Sequence, residues 1–206
     1  MKFICLPILL CLALPLSGQT VPTSETPLNL HYALLNDTSG KTLWPKGTEQ
    51  QVTLASQFLD QVVRPDTDIG SLVNFSEDFY LDVQNSTKPA EIKTKLIREG
   101  HGGTRTFDAL VAAANWLEKD QFPDSRKAIF LFSDGDDNAS QWGLQKTITS
   151  VQAVHIPVFV IAPAAVEHKR QGNDMVKLAS ATGGHVYFVP KADTYDFAAL
   201  KHDLGR

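Results

Sequence analysis

The sequence predicts an α/β fold built on a doubly wound, mostly parallel sheet. Short apolar segments alternate with amphipathic segments at helical spacing from about residue 28 to residue 204. The segments 31–35 and 128–132 are almost continuously apolar, which is typical of strands that are buried on both faces. Strands that alternate with helices favour a parallel sheet with right-handed crossovers and helices on both faces.

Six segments have strand character. The second and third are separated only by the polar tripeptide 76–78, which predicts a hairpin and therefore one short antiparallel strand at the edge of the sheet. We expect the strands at residues 28–35, 68–75, 79–83, 127–132, 157–161 and 185–189.

Amphipathic segments between these strands predict helices. Val52, Ala55 and Leu59 share one face of the first, and Leu110 and Leu117 share one face of the third. We expect helices at 48–63, at 89–98, from a cap at Thr104 or Thr106 to about 119, from a cap at Ser140 to about 154, at 173–182, and from Asp193 or Thr194 to about 204.

The composition is that of a globular domain that can bury a core. The chain has 206 residues, of which 43% are hydrophobic and 20% are charged, and its formal net charge is −4. This charge argues against a general nucleic-acid binder. Both cysteines, Cys5 and Cys11, lie near the amino terminus, so the domain itself would contain neither a disulfide nor a cysteine metal ligand.

Residues 1–18 look like a signal peptide. Lys2 is their only charged residue, residues 3–16 are apolar apart from two prolines, and the small residues Ser17 and Gly18 follow. The alternative, a membrane anchor, needs about 20 apolar residues, and this run is shorter. We therefore expect a secreted or periplasmic protein without a membrane span after cleavage, with a tether over 19–27 and one domain over 28–204.

Polar residues flank the predicted buried elements at three places. Residues 37–39 (Asp-Thr-Ser) follow the first strand, 102–104 (Gly-Gly-Thr) precede a helix, and 134–137 (Asp-Gly-Asp-Asp) follow the fourth strand. Ligands of open α/β sheets bind at the carboxyl ends of strands, so together these loops would form an all-oxygen pocket. Taken singly, each also has a structural explanation as an Asx turn, a helix cap or a solvated acidic loop.

Two other motifs compete for the acidic loop. An EF-hand would begin at Asp134, but Ala139 replaces the required Gly and Gln145 replaces the bidentate Glu. A phosphatase of the haloacid dehalogenase type would use an Asp-x-Asp pair after a strand, which Asp134 and Asp136 provide. A Mg-dependent phosphatase therefore stays open as an alternative to a binding function.

The three loops in this order resemble those of a von Willebrand factor type A (VWA) domain of the bacterial exported branch. The resemblance rests on residues 34–40, 102–110 and 129–138 and covers about residues 28–204. It implies a Rossmann-like sheet of six strands with a metal-ion-dependent adhesion site (MIDAS) above it. It also implies a non-enzymatic function, the binding of a protein or another ligand.

The resemblance further implies roles for individual residues. Ser39 and Thr104 would offer hydroxyl groups to Mg²⁺. Asp37 and Asp134 would act directly or through water, and an acidic side chain of a protein partner would complete the coordination. The family pattern is Asp-x-Ser-x-Ser, and Lys41 stands at its last position here. The ammonium group either turns to solvent or replaces the cation in a degenerate, metal-free site, with binding through another face.

Overall fold

The computed structural model describes residues 28–40, 42–97, 101–120, 122 and 125–206. The expected signal peptide 1–18, the tether 19–27 and Lys41 lie outside the described residues. None of the helices in the described part of the chain combines the length and the apolar character needed to cross a bilayer.

A single mixed sheet forms the centre of the molecule. Its strands are β1 (Asn29–Asp37), β2 (Ile69–Phe75), β3 (Phe79–Ser86), β4 (Ser125–Phe132), β5 (Val158–Pro163) and β6 (Val186–Val189). They form one six-stranded sheet in the order β3-β2-β1-β4-β5-β6. All neighbours are parallel except β2 and β3, which confirms the predicted fold class and its antiparallel edge strand.

Helices cover both faces of this sheet. They are α1 (Gly47–Gln61), α2 (Pro89–Lys95), α3 (Thr106–Lys119), α4 (Leu144–Ala153), α5 (Arg170–Thr182) and α6 (Ala198–Asp203). α1, α2 and α6 pack on one face, where Phe58 and Leu200 belong to one buried cluster. α3, α4 and α5 pack on the other face, where Leu110 and Leu178 belong to a second cluster.

The order of the strands reverses between β1 and β4. The chain proceeds from β1 through β2 to β3 at one edge, then returns to place β4 on the other side of β1. The carboxyl ends of β1 and β4 therefore flank the switch point, where open α/β sheets bind their ligands. The register pairs Asn36 with Phe132, so Asp37 and Ser133 follow side by side.

The two strands at the switch point are buried on both faces. Leu34 and Leu35 of β1 point to opposite faces and are both 0% exposed, as are Phe130 and Leu131 of β4. This explains the continuous apolar character of both segments. It also makes the ends of β1 and β4 a rigid base for the loops that follow.

Tertiary contacts override several of the predicted helix ends. α4 begins at Leu144 rather than Ser140, because the Ser140 hydroxyl accepts the amide of Asp108 in α3 instead. The last helix is interrupted, with a 3-10 turn at Ala192–Thr194 and α6 starting only at Ala198. The chain is extended at Tyr195, and Phe197 packs its ring against Phe58 in the core.

Other boundaries shift by a few residues. α2 ends at Lys95 rather than 98, where Leu96 adopts an extended conformation, and α5 begins at Arg170 rather than 173. β3 continues to Ser86 rather than 83, because Ser86 still pairs with Gly70 of β2.

Candidate functional site

Three polar loops meet above the carboxyl ends of β1 and β4. The hydroxyl of Ser133 donates to Oδ2 of Asp37 over 2.6 Å, which joins the end of β4 to the end of β1. The amide of His101 donates to the carbonyl oxygen of Thr38 over 3.0 Å, which attaches the loop before α3 to the loop after β1. The residues that the family resemblance singled out therefore lie in one region of the molecule.

Asp37 is a buried carboxyl group at the end of β1. It is 3% exposed, and its Oδ1 accepts the amide of Ser39 over 2.9 Å. Burial raises the pKa of Asp37 to about 6 and the charge of Asp134 adds to this, although hydrogen bonds from Ser133 and Ser39 oppose it. The largest opposing effects come from the neutral residues Ser133 and Ser39.

Asp134 is the second buried carboxyl group, 2% exposed, in the loop after β4. Its Oδ1 accepts the amide of Asp136 over 3.1 Å, and its Oδ2 accepts the amide of Leu43 over 2.7 Å. Burial raises the pKa of Asp134, and the charge of Asp136 adds to this effect. The hydrogen bonds and the charge of Lys169 work in the opposite direction. Asp134 thus ties the loop after β1 to the loop after β4.

The two hydroxyl residues named by the resemblance are also buried. Ser39 and Thr104 are each 2% exposed. Thr104 is held through its backbone, because its amide donates to Oδ1 of Asn138 over 2.9 Å and its carbonyl oxygen accepts the amide of Asn138 over 3.1 Å. Their roles as metal ligands stay predictions.

The cap of α3 differs from the sequence-based expectation. Neither Thr104 nor Thr106 caps this helix, because Arg105 occupies the N-cap position and makes no side-chain cap hydrogen bond. The amide of Phe107 instead donates to Oδ2 of Asp137 over 2.9 Å. The acidic run is therefore not simply a solvated loop, since one of its carboxylates takes the place of a local cap.

An open cavity of about 200 Å³ lies beside Asp134. Its lining combines carboxylate, hydroxyl and amide groups with one half-exposed apolar side chain: Thr42, Leu43, Asp134, Asp136 and Gln171. Leu43 both borders this cavity and donates its amide to Asp134. A side chain of a binding partner could enter here next to Asp134.

The chemistry of the site fits a hard divalent cation. Two carboxyl groups, Asp37 and Asp134, and two hydroxyl groups, Ser39 and Thr104, are the oxygen donors that Mg²⁺ prefers. Within the described ranges, no group of three or more His, Cys, Asp or Glu side chains is arranged to hold a metal ion. A cation here would therefore depend on the hydroxyl groups as well as on the carboxylates. The two alternatives for Lys41 concern a residue outside the described ranges.

Sequence reasoning did not assign a role to Ser133 or Asn138. Ser133 directly precedes Asp134, and its position at the end of a buried strand was the available signal. Asn138 follows the acidic run, and no local pattern indicates that it holds the backbone of Thr104. Both contacts join loops that are far apart in the sequence.

Comparisons with known proteins bear on the fold. The sequence profile of the von Willebrand factor type A domain matches residues 33–200. A von Willebrand factor type A structure from Catenulispora acidiphila superposes with a TM-score of 0.58 at 19% identity, covering 86% of this chain and 41% of that one. An aerotolerance-related membrane protein from Bacteroides fragilis superposes with a TM-score of 0.60 at 17% identity, covering 86% of this chain and 98% of that one. Proximal thread matrix protein 1 from the mussel byssus, with a zinc-occupied MIDAS motif, superposes with a TM-score of 0.64 at 16% identity, covering 86% of this chain and 48% of that one.

These identities are low, so the structural similarity establishes the fold alone. The chain spans less than half of the Catenulispora and mussel chains and nearly all of the Bacteroides one. A comparison with curated protein sequences gave no significant match. The profile match covers most of the chain, and domains of this type generally act as protein-interaction modules. The chain belongs to the von Willebrand factor type A domain family.

Proposed function

We propose that this VWA domain is a binding module that holds Mg²⁺ at the carboxyl ends of β1 and β4 and uses it to bind a protein partner. Asp37, Ser39, Thr104 and Asp134 would supply the oxygen atoms. Bound Mg²⁺ would act as a Lewis acid that attracts a carboxylate of the partner. The function is binding rather than catalysis.

The pair of buried carboxyl groups supports this proposal most directly. Asp37 and Asp134 are both almost fully buried, and burial raises the pKa of each. The ion pairs of the described residues include neither group, although the charge of Lys169 lowers the pKa of Asp134. Two neighbouring carboxylates repel each other, which makes it unfavourable for both to be ionised. A divalent cation between them would compensate both charges.

A zinc-occupied MIDAS motif in the mussel protein, which shares the fold, gives additional support. We also propose that residues 1–18 are a signal peptide and 19–27 a tether to a domain over 28–204. Export of the domain would give it a partner outside the cytoplasm. The Bacteroides relative, described as a membrane protein, is consistent with a location outside the cytoplasm. The domain would then meet its partner in the periplasm or the medium.

A second candidate function is metal-free binding. Both carboxylate oxygens of Asp134 already accept backbone amides, from Leu43 and Asp136. A site whose acceptors are satisfied in this way needs a cation less, and Lys41 would supply positive charge instead. The domain would then bind its partner through another face.

Calorimetric titration of Mg²⁺ and Mn²⁺ into the mature domain tests the proposal. We expect binding by the wild type and its loss in Asp134→Asn. Glu118→Gln is the matched control, because Glu118 is an exposed carboxylate on α3 whose side chain makes no contact with the site. Binding that appears only in Lys41→Ser would overturn the metal-dependent proposal and support the metal-free candidate.

The phosphatase alternative is tested separately. The amide of Asp136 donates to Asp134, so the Asp-x-Asp pair forms a compact turn. We expect no turnover of a phosphate monoester in the presence of Mg²⁺. Turnover that disappears in Asp136→Asn would overturn the assignment as a non-enzymatic module.

A further inference from the structure

The backbone of Thr104 is fastened to the loop that carries Asp134. Its amide donates to Oδ1 of Asn138 over 2.9 Å. Its carbonyl oxygen accepts the amides of Asn138 over 3.1 Å and of Ala139 over 3.0 Å. The peptide units on both sides of Thr104 are therefore fixed by the same short segment.

The side chain of Asn138 is oriented for this contact. Its Nδ2 lies 3.4 Å from Oδ2 of Asp136, which turns Oδ1 toward the amide of Thr104. A Cβ atom at Gly103 would lie 2.6 Å from Oδ1 of Asn138. Glycine at 103 therefore leaves room for the Asn138 amide group, which gives this residue a structural reason independent of any ligand.

The contact between these loops continues along α3. The hydroxyl of Thr106 donates to the carbonyl oxygen of Asp136 over 2.9 Å, and the amide of Asp108 donates to the Ser140 hydroxyl over 3.1 Å. These bonds hold the start of the helix to the acidic loop. Asn138 makes a similar side-chain hydrogen bond to Thr104, the candidate metal ligand that precedes the helix.

We propose that Asn138 is a positioning residue that fixes Thr104 relative to Asp134. This inference rests on the proposed function, because a cation is what would require the two residues to keep a fixed separation. Asn138 is exposed whereas Thr104 is 2% exposed, so an accessible side chain sets the position of a buried one. Partners that orient metal ligands typically change metal affinity by about 10-fold to 100-fold when they are removed.

The experiment compares Asn138→Ala, which removes the acceptor, with Asn138→Asp, which retains it. Amide hydrogen exchange at Thr104 is measured without metal, and Mg²⁺ and Mn²⁺ affinities are measured by calorimetry. We expect Asn138→Ala to accelerate exchange at Thr104 by about 10-fold and to weaken metal binding by at least about 10-fold. Asn138→Asp should restore slow exchange only in part, because its second carboxylate oxygen would face Oδ2 of Asp136 in place of a donor. Asn115→Ala, which alters an exposed asparagine on α3, should change neither exchange nor affinity.

Gly103→Ala provides a second variant, because its Cβ would displace the Asn138 amide group, and we expect it to reproduce both effects. Unchanged exchange at Thr104 in Asn138→Ala would overturn the inference whether or not metal binds. Metal affinity that stays at the wild-type value in Asn138→Ala would also overturn it. Absence of metal binding by the wild type would refute the proposed function, while the exchange data would still decide whether Asn138 positions Thr104.

Discussion

The hydroxyl of Ser133 lies 2.6 Å from Oδ2 of Asp37, a hydrogen bond between residues that are 96 positions apart in the chain. Both groups are buried. A neutral hydroxyl compensates a buried carboxylate less well than a cation does. Asp37 consequently holds its proton more tightly in the folded protein than in the unfolded chain, and the stability of the metal-free domain should depend on pH.

Replacing Asp37 with Asn should make stability less dependent on pH. The pKa of Asp37 is about 6 in the folded protein and 3.8 in the unfolded chain. The stabilising contribution of Asp37 is therefore complete below pH 3.8 and is lost as the pH rises through about 6. The cost of the ionised form at neutral pH is about 3 kcal/mol at most. In EDTA, the free energy of unfolding of Asp37→Asn should therefore fall less between about pH 4 and pH 7 than that of the wild type, as measured by urea denaturation. Parallel pH profiles would contradict this.

Replacing His31 with Gln should remove an opposite pH dependence. His31 is 0% exposed, and burial lowers its pKa from 6.5, although the hydrogen bond to Asn85 and the charge of Asp120 oppose this. The neutral form is thus favoured in the fold, and stability is lost as the pH falls below about 6.5. We expect this loss to be absent in His31→Gln and unchanged in His168→Gln, which alters an exposed histidine. Thermal unfolding between pH 7 and pH 5 is the measurement.

Replacing Asp68 with Asn should destabilise the end of the sheet opposite the candidate site. Asp68 is 1% exposed and accepts both terminal nitrogens of Arg206, over 2.6 Å and 2.8 Å, and the amide of Leu30 over 2.9 Å. Burial alone would raise the pKa of Asp68, but the hydrogen bonds from Arg206, Arg64 and Leu30 outweigh it and lower the pKa. The stabilising contribution of the Asp68 carboxylate is present above its pKa in the unfolded chain and is lost as the pH falls through its pKa in the folded protein.

We expect Asp68→Asn to lower the free energy of unfolding by about 3 kcal/mol at neutral pH, because it leaves the guanidinium of Arg206 without its carboxylate. Asp193→Asn is the control, since Asp193 pairs with Lys46 at the surface over 3.3 Å, where such pairs contribute less than about 1 kcal/mol. Chemical denaturation measures the free energy of unfolding of both variants. Equal losses in the two would argue against a special role for Asp68.

Two adjacent glycines should respond differently to alanine. Gly183 ends α5 with φ +84° and has open space around its Cβ position, so Gly183→Ala should cost about 1 kcal/mol from backbone strain. A Cβ at Gly184 would overlap the carbonyl oxygen of Val158, which is backbone and cannot rotate away. We expect a markedly lower thermal midpoint for Gly184→Ala than for Gly183→Ala. A lower thermal midpoint for Gly183→Ala than for Gly184→Ala would contradict the close contact between Gly184 and the carbonyl oxygen of Val158.

The sequence by itself determined the class of the fold. The continuous apolar segments of β1 and β4 and the apolar stripe of α1, which includes Val52 and Leu59, depend on local patterns and are buried as expected. The three polar loops identified the family, which the match over residues 33–200 confirms. Local periodicity and the order of motifs were enough for these features, because burial imposes them on each segment separately.

Only the tertiary structure decided how the candidate site is held together. Asp137 caps α3 from a loop 30 positions away, Ser133 bonds to Asp37, and Asn138 holds Thr104 from 34 positions away. No local pattern specifies such partners, since a polar side chain can satisfy its hydrogen bonds in several ways. The choice is made when the strand order brings β1 beside β4, because their carboxyl ends then bring these polar groups within hydrogen-bonding distance of one another. Asp37, Ser133 and Thr104 are buried there, so their polar groups must find partners within the protein.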